Sequence, residues 1–176
     1  MKNIVLIGMM GCGKSTVGQL LAQRLNRTLV DTDKLIEARE GMSVQDIFET
    51  MGEPYFRALE VGVAQALSLR SGLVIACGGG LPMQEPAIRA LKESGVVIWL
   101  DRDAQEIYDS EDLTDRPLVQ GDREGFIQRR NQRAPIYEKW ADATIHDFTS
   151  PISTAARVKE AVEAIASWEQ GKKEDQ

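Results

Sequence analysis

The chain has 176 residues, 43% of them hydrophobic and 27% charged, with a net charge of −6. That length favours one domain whose core needs neither disulfides nor structural metal, and the acidic balance argues against wholesale binding to nucleic acid or to an anionic membrane. No apolar run reaches the roughly 18 residues of a membrane span. Cys12 and Cys77, with the single histidine His146, provide neither a disulfide framework nor zinc-ligand spacing. Ile4 follows the N-terminus so closely that a cleavable leader has no room, which predicts a cytoplasmic protein.

Ile4, Val5, Leu6 and Ile7 form an apolar run suited to a buried strand, and Val17, Leu20, Leu21 and Leu25 recur at helical spacing. Between them Gly8-Met9-Met10-Gly11-Cys12-Gly13-Lys14-Ser15 fits the phosphate-loop pattern G-x-x-x-x-G-K-[ST] at every fixed position. Backbone amides freed by the glycines turn toward phosphate oxygens, Lys14 adds a full positive charge, and Ser15 offers a hydroxyl to magnesium. Cys12 stands two residues before Lys14, which predicts a reactive thiol that bound nucleotide protects; the alternative is a buried small hydrophobe.

Thr28 to Asp31 reads as a second strand that delivers Asp31-Thr32-Asp33 to the sheet edge where α/β folds bind ligands. If the segment is extended, Asp31 and Asp33 point the same way, one toward magnesium through water and one toward a substrate hydroxyl. The alternative is that Asp33 caps the helix that follows. Gly41 ends that helix, and Ser43-Val44-Gln45-Asp46 resembles a capping box opening another. Arg57 falls in the first turn of a helix carrying Leu59, Val63, Ala66 and Leu67, where a cation opposes the helix dipole. It is either a solvated surface arginine or a ligand group.

Leu73 to Ala76 is a third buried strand, ending in Cys77-Gly78-Gly79-Gly80, glycines that let a ligand approach the backbone closely. A helix from about Glu85 to Lys92 and a strand Val96 to Leu100 complete another crossover unit. After a short helix, Asp103 to Tyr108, periodicity stops. A mobile lid around 110–123 is predicted there, with Arg116 among carboxylates, although an acidic surface loop would look similar. Arg129, Arg130, Arg133 and Tyr137 lie on a basic helix, Ala143 to Ile145 is a last strand, and Pro151 to Trp168 is an amphipathic helix. The domain spans 1–170, followed by a polar tail, 171–176. Trp99, Trp140 and Trp168 read as core, and His146 as a polar residue at a strand end.

Taken in order, the phosphate loop with Thr16, Asp31-Thr32-Asp33, Gly52-Glu53 with Phe56-Arg57, Gly78-Gly79-Gly80, Arg116-Pro117-Leu118, and Arg133 with Tyr137 resemble the shikimate kinase family. The resemblance implies an α/β three-layer P-loop kinase fold with a five-stranded parallel sheet of order 2-3-1-4-5. It also implies ATP-dependent phosphorylation of the 3-hydroxyl of shikimate, on the route to chorismate and the aromatic amino acids. By the same resemblance Gly11, Cys12, Gly13, Lys14, Ser15, Thr16 and Arg116 meet ATP, while Ser15 and Asp31, the latter through water, hold Mg2+. Asp33, Arg57, Gly78, Gly79, Gly80 and Arg133 meet shikimate. Lys14, Asp33 and Arg116 are the implied catalytic groups, in a monomer that binds no nucleic acid and no membrane.

Two positions depart from the family pattern. No basic residue stands between Arg102 and Arg116 to pack on adenine, and Cys77 replaces a small hydroxyl residue. The competing readings are a nucleoside monophosphate or sugar-acid kinase, which share the phosphate loop, lid and sheet order although nucleobase recognition needs a dedicated pocket that no residue here marks, and a silent nucleotide-binding module. The silent module is disfavoured because Lys14, Asp33 and the arginines are all present.

Overall fold

The computed structural model describes residues 1–109 and 122–174. Five strands, β1 (Asn3–Ile7), β2 (Thr28–Asp31), β3 (Leu73–Ala76), β4 (Gly95–Leu100) and β5 (Ala143–Ile145), form one parallel sheet in the order β2-β3-β1-β4-β5. Every residue of β1, β3 and β4 is buried, as central parallel strands covered on both faces must be. Asn3 is the polar exception, and both its side-chain oxygen and nitrogen are hydrogen-bonded. Its Nδ2 donates to the Arg70 carbonyl at 2.8 Å and its Oδ1 accepts from the Leu73 amide at 2.9 Å, which ties the start of β3 to β1.

The helices are α1 (Lys14–Leu25), α2 (Thr32–Glu40), α3 (Val44–Thr50), α4 (Glu53–Ser68), α5 (Glu85–Ser94), α6 (Ala104–Asp109), α7 (Arg123–Trp140) and α8 (Pro151–Glu174). From β1 the chain crosses past β3 to β2, and from β3 it crosses past β1 to β4. With right-handed crossovers these opposite directions put α1, which packs on α8, and α5, which packs on α4, on opposite faces of the sheet. The connections diverge at β1 and β3, so a crevice opens at their carboxyl ends. Register makes those ends level: Leu6 pairs with Ala76, and Ala76 with Asp31. The loops after β1, β2 and β3 therefore meet at one place.

The last helix runs to Glu174, beyond the Trp168 end read from the sequence, so four residues of the expected polar tail, 171–174, are helical. Among the described residues no helix is long and apolar enough to cross a membrane.

Candidate active site

The phosphate loop joins β1 to α1. Gly8 takes φ 143° and Gly13 φ 99°, a region that side chains rarely adopt, and a Cβ on Gly8 would meet the Leu100 carbonyl at 2.6 Å. Lys14 opens α1 and is buried. Its Nζ donates to the carbonyls of Gly8 at 2.9 Å and Met9 at 2.7 Å, so the ammonium is held on the loop itself, beside a helix N-terminus that also favours an anion. Thr16, two residues further along α1, is exposed.

Ser15 Oγ donates to Asp31 Oδ2 at 2.7 Å. The other oxygen of Asp31 accepts from the amides of Asp33 at 3.1 Å and Lys34 at 3.2 Å, and so caps α2. This corrects the sequence reading in two respects. The cap is Asp31 rather than Asp33, and no extended segment keeps the two carboxylates parallel, because Thr32 is already helical. An aspartate at the strand end that satisfies two orphan amides lets the chain turn into the helix at once. Asp33 is thereby carried round the first turn toward Gly78. Thr32 is fully buried, and its Oγ1 accepts from the Gly78 amide at 2.8 Å, which binds the start of α2 to the loop after β3.

None of Gly78, Gly79 and Gly80 has a positive φ, so what these glycines supply is space. A Cβ on Gly78 would overlap Asp33 Oδ1, and one on Gly80 would overlap Arg57 Nη1. On Gly79 it would stand 3.2 Å from the Met10 amide nitrogen and 3.5 Å from Arg133 Nη1. Three successive residues make a floor, and on each rests a different charged side chain, from α2, α7 and α4 in turn.

Arg57 sits one turn inside α4, which begins at Glu53 and not near Arg57 itself, and the dipole argument for a first-turn cation therefore does not apply. Its Nε and Nη2 donate to Glu53 Oε1 at 3.0 and 2.8 Å, and its Nη1 to Glu60 Oε2 at 2.7 Å. The rings of Phe48 and Phe56 lie 5.7 and 5.6 Å from the guanidinium. Burial works against the charge of Arg57, but the Glu60 and Glu53 carboxylates outweigh it and raise its pKa above the usual arginine value. Glu60 is 1% exposed, and its Oε1 has no hydrogen-bond partner among the described residues. Burial pushes the Glu60 carboxyl up to about 7, with Arg57 acting in the opposite sense.

Arg133, on α7, has its Nη1 buried with no hydrogen-bond partner among the described residues. One turn on, the Tyr137 hydroxyl donates to the Gly79 carbonyl at 2.6 Å. Burial raises that phenol to about 12, with Arg133 opposing, so it stays a neutral donor. A separate cavity of about 520 Å³ opens beyond the ends of β4 and β5. It is lined by Asp101, Arg130, His146 and Phe148 among others; Arg130 bonds Asp101 at 2.6 Å and covers the Trp99 ring at 5.8 Å.

A shikimate kinase family model matches residues 10–166. The chain is 45% identical over 138 residues to the shikimate kinase of a Sulfurihydrogenibium species, covering 78% of this chain and 83% of the relative. It belongs to the shikimate kinase family. Among solved structures, the family's enzyme from Acinetobacter baumannii in complex with shikimate superposes with a TM-score of 0.84 at 33% identity, covering 95% of this chain and 94% of that one. A gluconokinase from Sinorhizobium meliloti superposes at a TM-score of 0.58 with 16% identity over 95% of this chain and 97% of its own, a likeness of fold alone.

The structure brings together Lys14, Ser15, Asp31, Asp33, Arg57, Gly78, Gly79, Gly80 and Arg133 at the carboxyl ends of β1, β2 and β3. Arg116 and nearly all of the expected lid lie outside the described residues. Cys12 is 1% exposed, which is the buried alternative of the sequence reading, and its Sγ accepts from Lys14 Nζ at 3.8 Å. Cys77 is likewise buried, both thiols are free, and burial pushes that of Cys77 up. Thr32 and Glu60 escaped the sequence reading. Glu60 left one signal, a carboxylate three residues after Arg57 on the side of α4 that also carries Phe56, Val63 and Leu67.

Proposed function

We propose that this chain transfers the γ-phosphoryl group of ATP to the 3-hydroxyl of shikimate, giving shikimate 3-phosphate and ADP. One observation carries the reading: Asp33, Arg133 and Arg57 converge on three consecutive glycines beside the phosphate loop. Two guanidiniums recognise a carboxylate bidentately, and an aspartate one glycine away accepts from hydroxyls. A polyhydroxylated ring acid has both groups on one small frame.

In this scheme Arg57 and Arg133 seat the shikimate carboxylate, and the bare backbone of Gly78, Gly79 and Gly80 lies along the ring. Asp33 orients the accepting hydroxyl and takes its proton as oxygen bonds to the γ-phosphorus and the bond to the ADP oxygen breaks. Lys14 and the amides of Gly11, Cys12 and Gly13 hold the phosphates. The cavity beside Asp101 and Phe148 offers room for the nucleoside. Ser15 Oγ and Asp31 Oδ2, 2.7 Å apart, are an all-oxygen pair of the kind Mg2+ takes alongside water and phosphate, and no cluster of three acidic, histidine or cysteine ligands competes among the described residues. When bound, Mg2+ neutralises charge on the β and γ oxygens. The reading makes the protein a cytoplasmic monomer.

An ADP-release assay with shikimate, gluconate and nucleoside monophosphates as alternative acceptors tests it. Turnover is expected with shikimate alone, and equal or greater turnover with either other class would overturn the assignment.

A further inference from the structure

Arg57 already serves two carboxylates before any substrate arrives. Glu53 keeps 60% of its side chain in solvent, while the Glu60 side chain is 1% exposed. We infer that seating the substrate carboxylate on Arg57 drives a proton from solvent onto Glu60, so that shikimate and a proton bind together. The inference rests on the reading that Arg57 receives that carboxylate.

A third carboxylate at one guanidinium divides the hold of Arg57 and brings like charge toward Glu60. Water can sustain the charge of Glu53 and of the incoming ligand at the mouth of the site, but it does not reach Glu60. The other charges acting on Glu60 are Asp33 from α2, which also disfavours its anion, and Arg133 from α7, which favours it but is itself drawn to the ligand. Cys77, at the end of β3, is a neutral thiol because burial raises it. Among the described residues, the charges that act most strongly on Glu60 come from α4, α2 and α7 rather than from α3, α5 or the turn at Leu81–Met83, which also pack on α4. The proton has a place to go: Oε1 is the unpartnered oxygen, and Oε2 keeps the bond it accepts from Arg57. A carboxyl already raised to about 7 puts the change in the neutral range.

Calorimetric titration at pH 7.5 in buffers of different ionisation enthalpy, without nucleotide, reads the proton directly. Shikimate, itself fully ionised there, is expected to bind the wild-type protein with uptake of about half to three quarters of a proton, because a carboxyl at about 7 already holds about a quarter of one at pH 7.5. Its neutral methyl ester and the Glu60→Gln variant are expected to show none. The wild-type Kd should rise by up to about tenfold per pH unit above pH 8 and stay flat in Glu60→Gln. A group that merely props up Arg57 would change affinity without a proton signal. Binding of shikimate to the wild type without uptake, or full uptake by Glu60→Gln, would overturn the inference alone. Failure of shikimate to bind at all would overturn the reading of the site and this inference with it. Should Glu60→Gln not fold, the two wild-type titrations decide, since equal uptake with acid and ester rules Glu60 out.

Discussion

Asp33 Oδ1 rests so closely on Gly78 that no Cβ fits between them, and the floor cannot retreat because the buried Thr32 hydroxyl holds the Gly78 amide. Gly78→Ala therefore keeps an allowed backbone but displaces the carboxylate. A shift of about 1 Å in a reacting group costs on the order of a hundredfold, so kcat should fall by about that factor with the far-UV spectrum unchanged. An alanine variant within twofold of wild type would show that Asp33 has no fixed position to lose.

Asp31 and Asp33 separate by function when each becomes asparagine. Asp33→Asn keeps the shape and removes the anion, and turnover should drop by about 10²- to 10⁴-fold while the fold is retained. Asp31→Asn preserves a side-chain cap on α2 but weakens the partner of Ser15, so the Mg2+ concentration for half activity should rise. Magnesium titrations of both variants check this. Identical midpoints for Asp31→Asn and wild type would take Asp31 out of the metal's surroundings.

Arg57→Lys and Arg133→Lys should each raise KM for shikimate by roughly tenfold or more and leave KM for ATP within about twofold, because an ammonium cannot reproduce the bidentate fork. Arg57→Lys should also lower Tm, since the aromatic faces of Phe48 and Phe56 and two carboxylates lose the same partner. Steady-state kinetics on both substrates distinguishes this from a general loss of fold.

Glu60 makes stability depend on pH with a definite sign. Its carboxyl lies near 7 when folded against an ordinary value of 4.5, so between those values the folded protein holds the proton more tightly than the unfolded chain. Stability from this group is complete below about pH 4.5 and is lost as pH rises through 7. Relative to wild type, Glu60→Gln should gain up to about 3 kcal/mol across that window. Urea denaturation of both proteins at pH 5, 6, 7 and 8 measures the difference, and parallel curves would place the Glu60 carboxyl in its ordinary range.

Short-range features of the chain were enough to predict its scaffold. Apolar runs of strand length, each ending in glycine or aspartate, announced the β1, β2 and β3 edges. The phosphate loop needs no partner from elsewhere to be recognised, because its glycines, Lys14 and Ser15 act within eight residues. Contacts over long separations were decided only in three dimensions. That Asp31, not Asp33, caps α2 depends on where β2 stops, and element boundaries follow pairing with β3. The role of Glu60 depends on being sealed beneath Arg57; its place on the apolar side of α4 signals burial, but only packing decides what covers it. Arg57 has local partners in Glu53 and Glu60 on its own helix, and only the fold sets its guanidinium against Gly80. Cys12 shows the same limit in reverse: its neighbours promise an accessible thiol, and only packing leaves it 1% exposed.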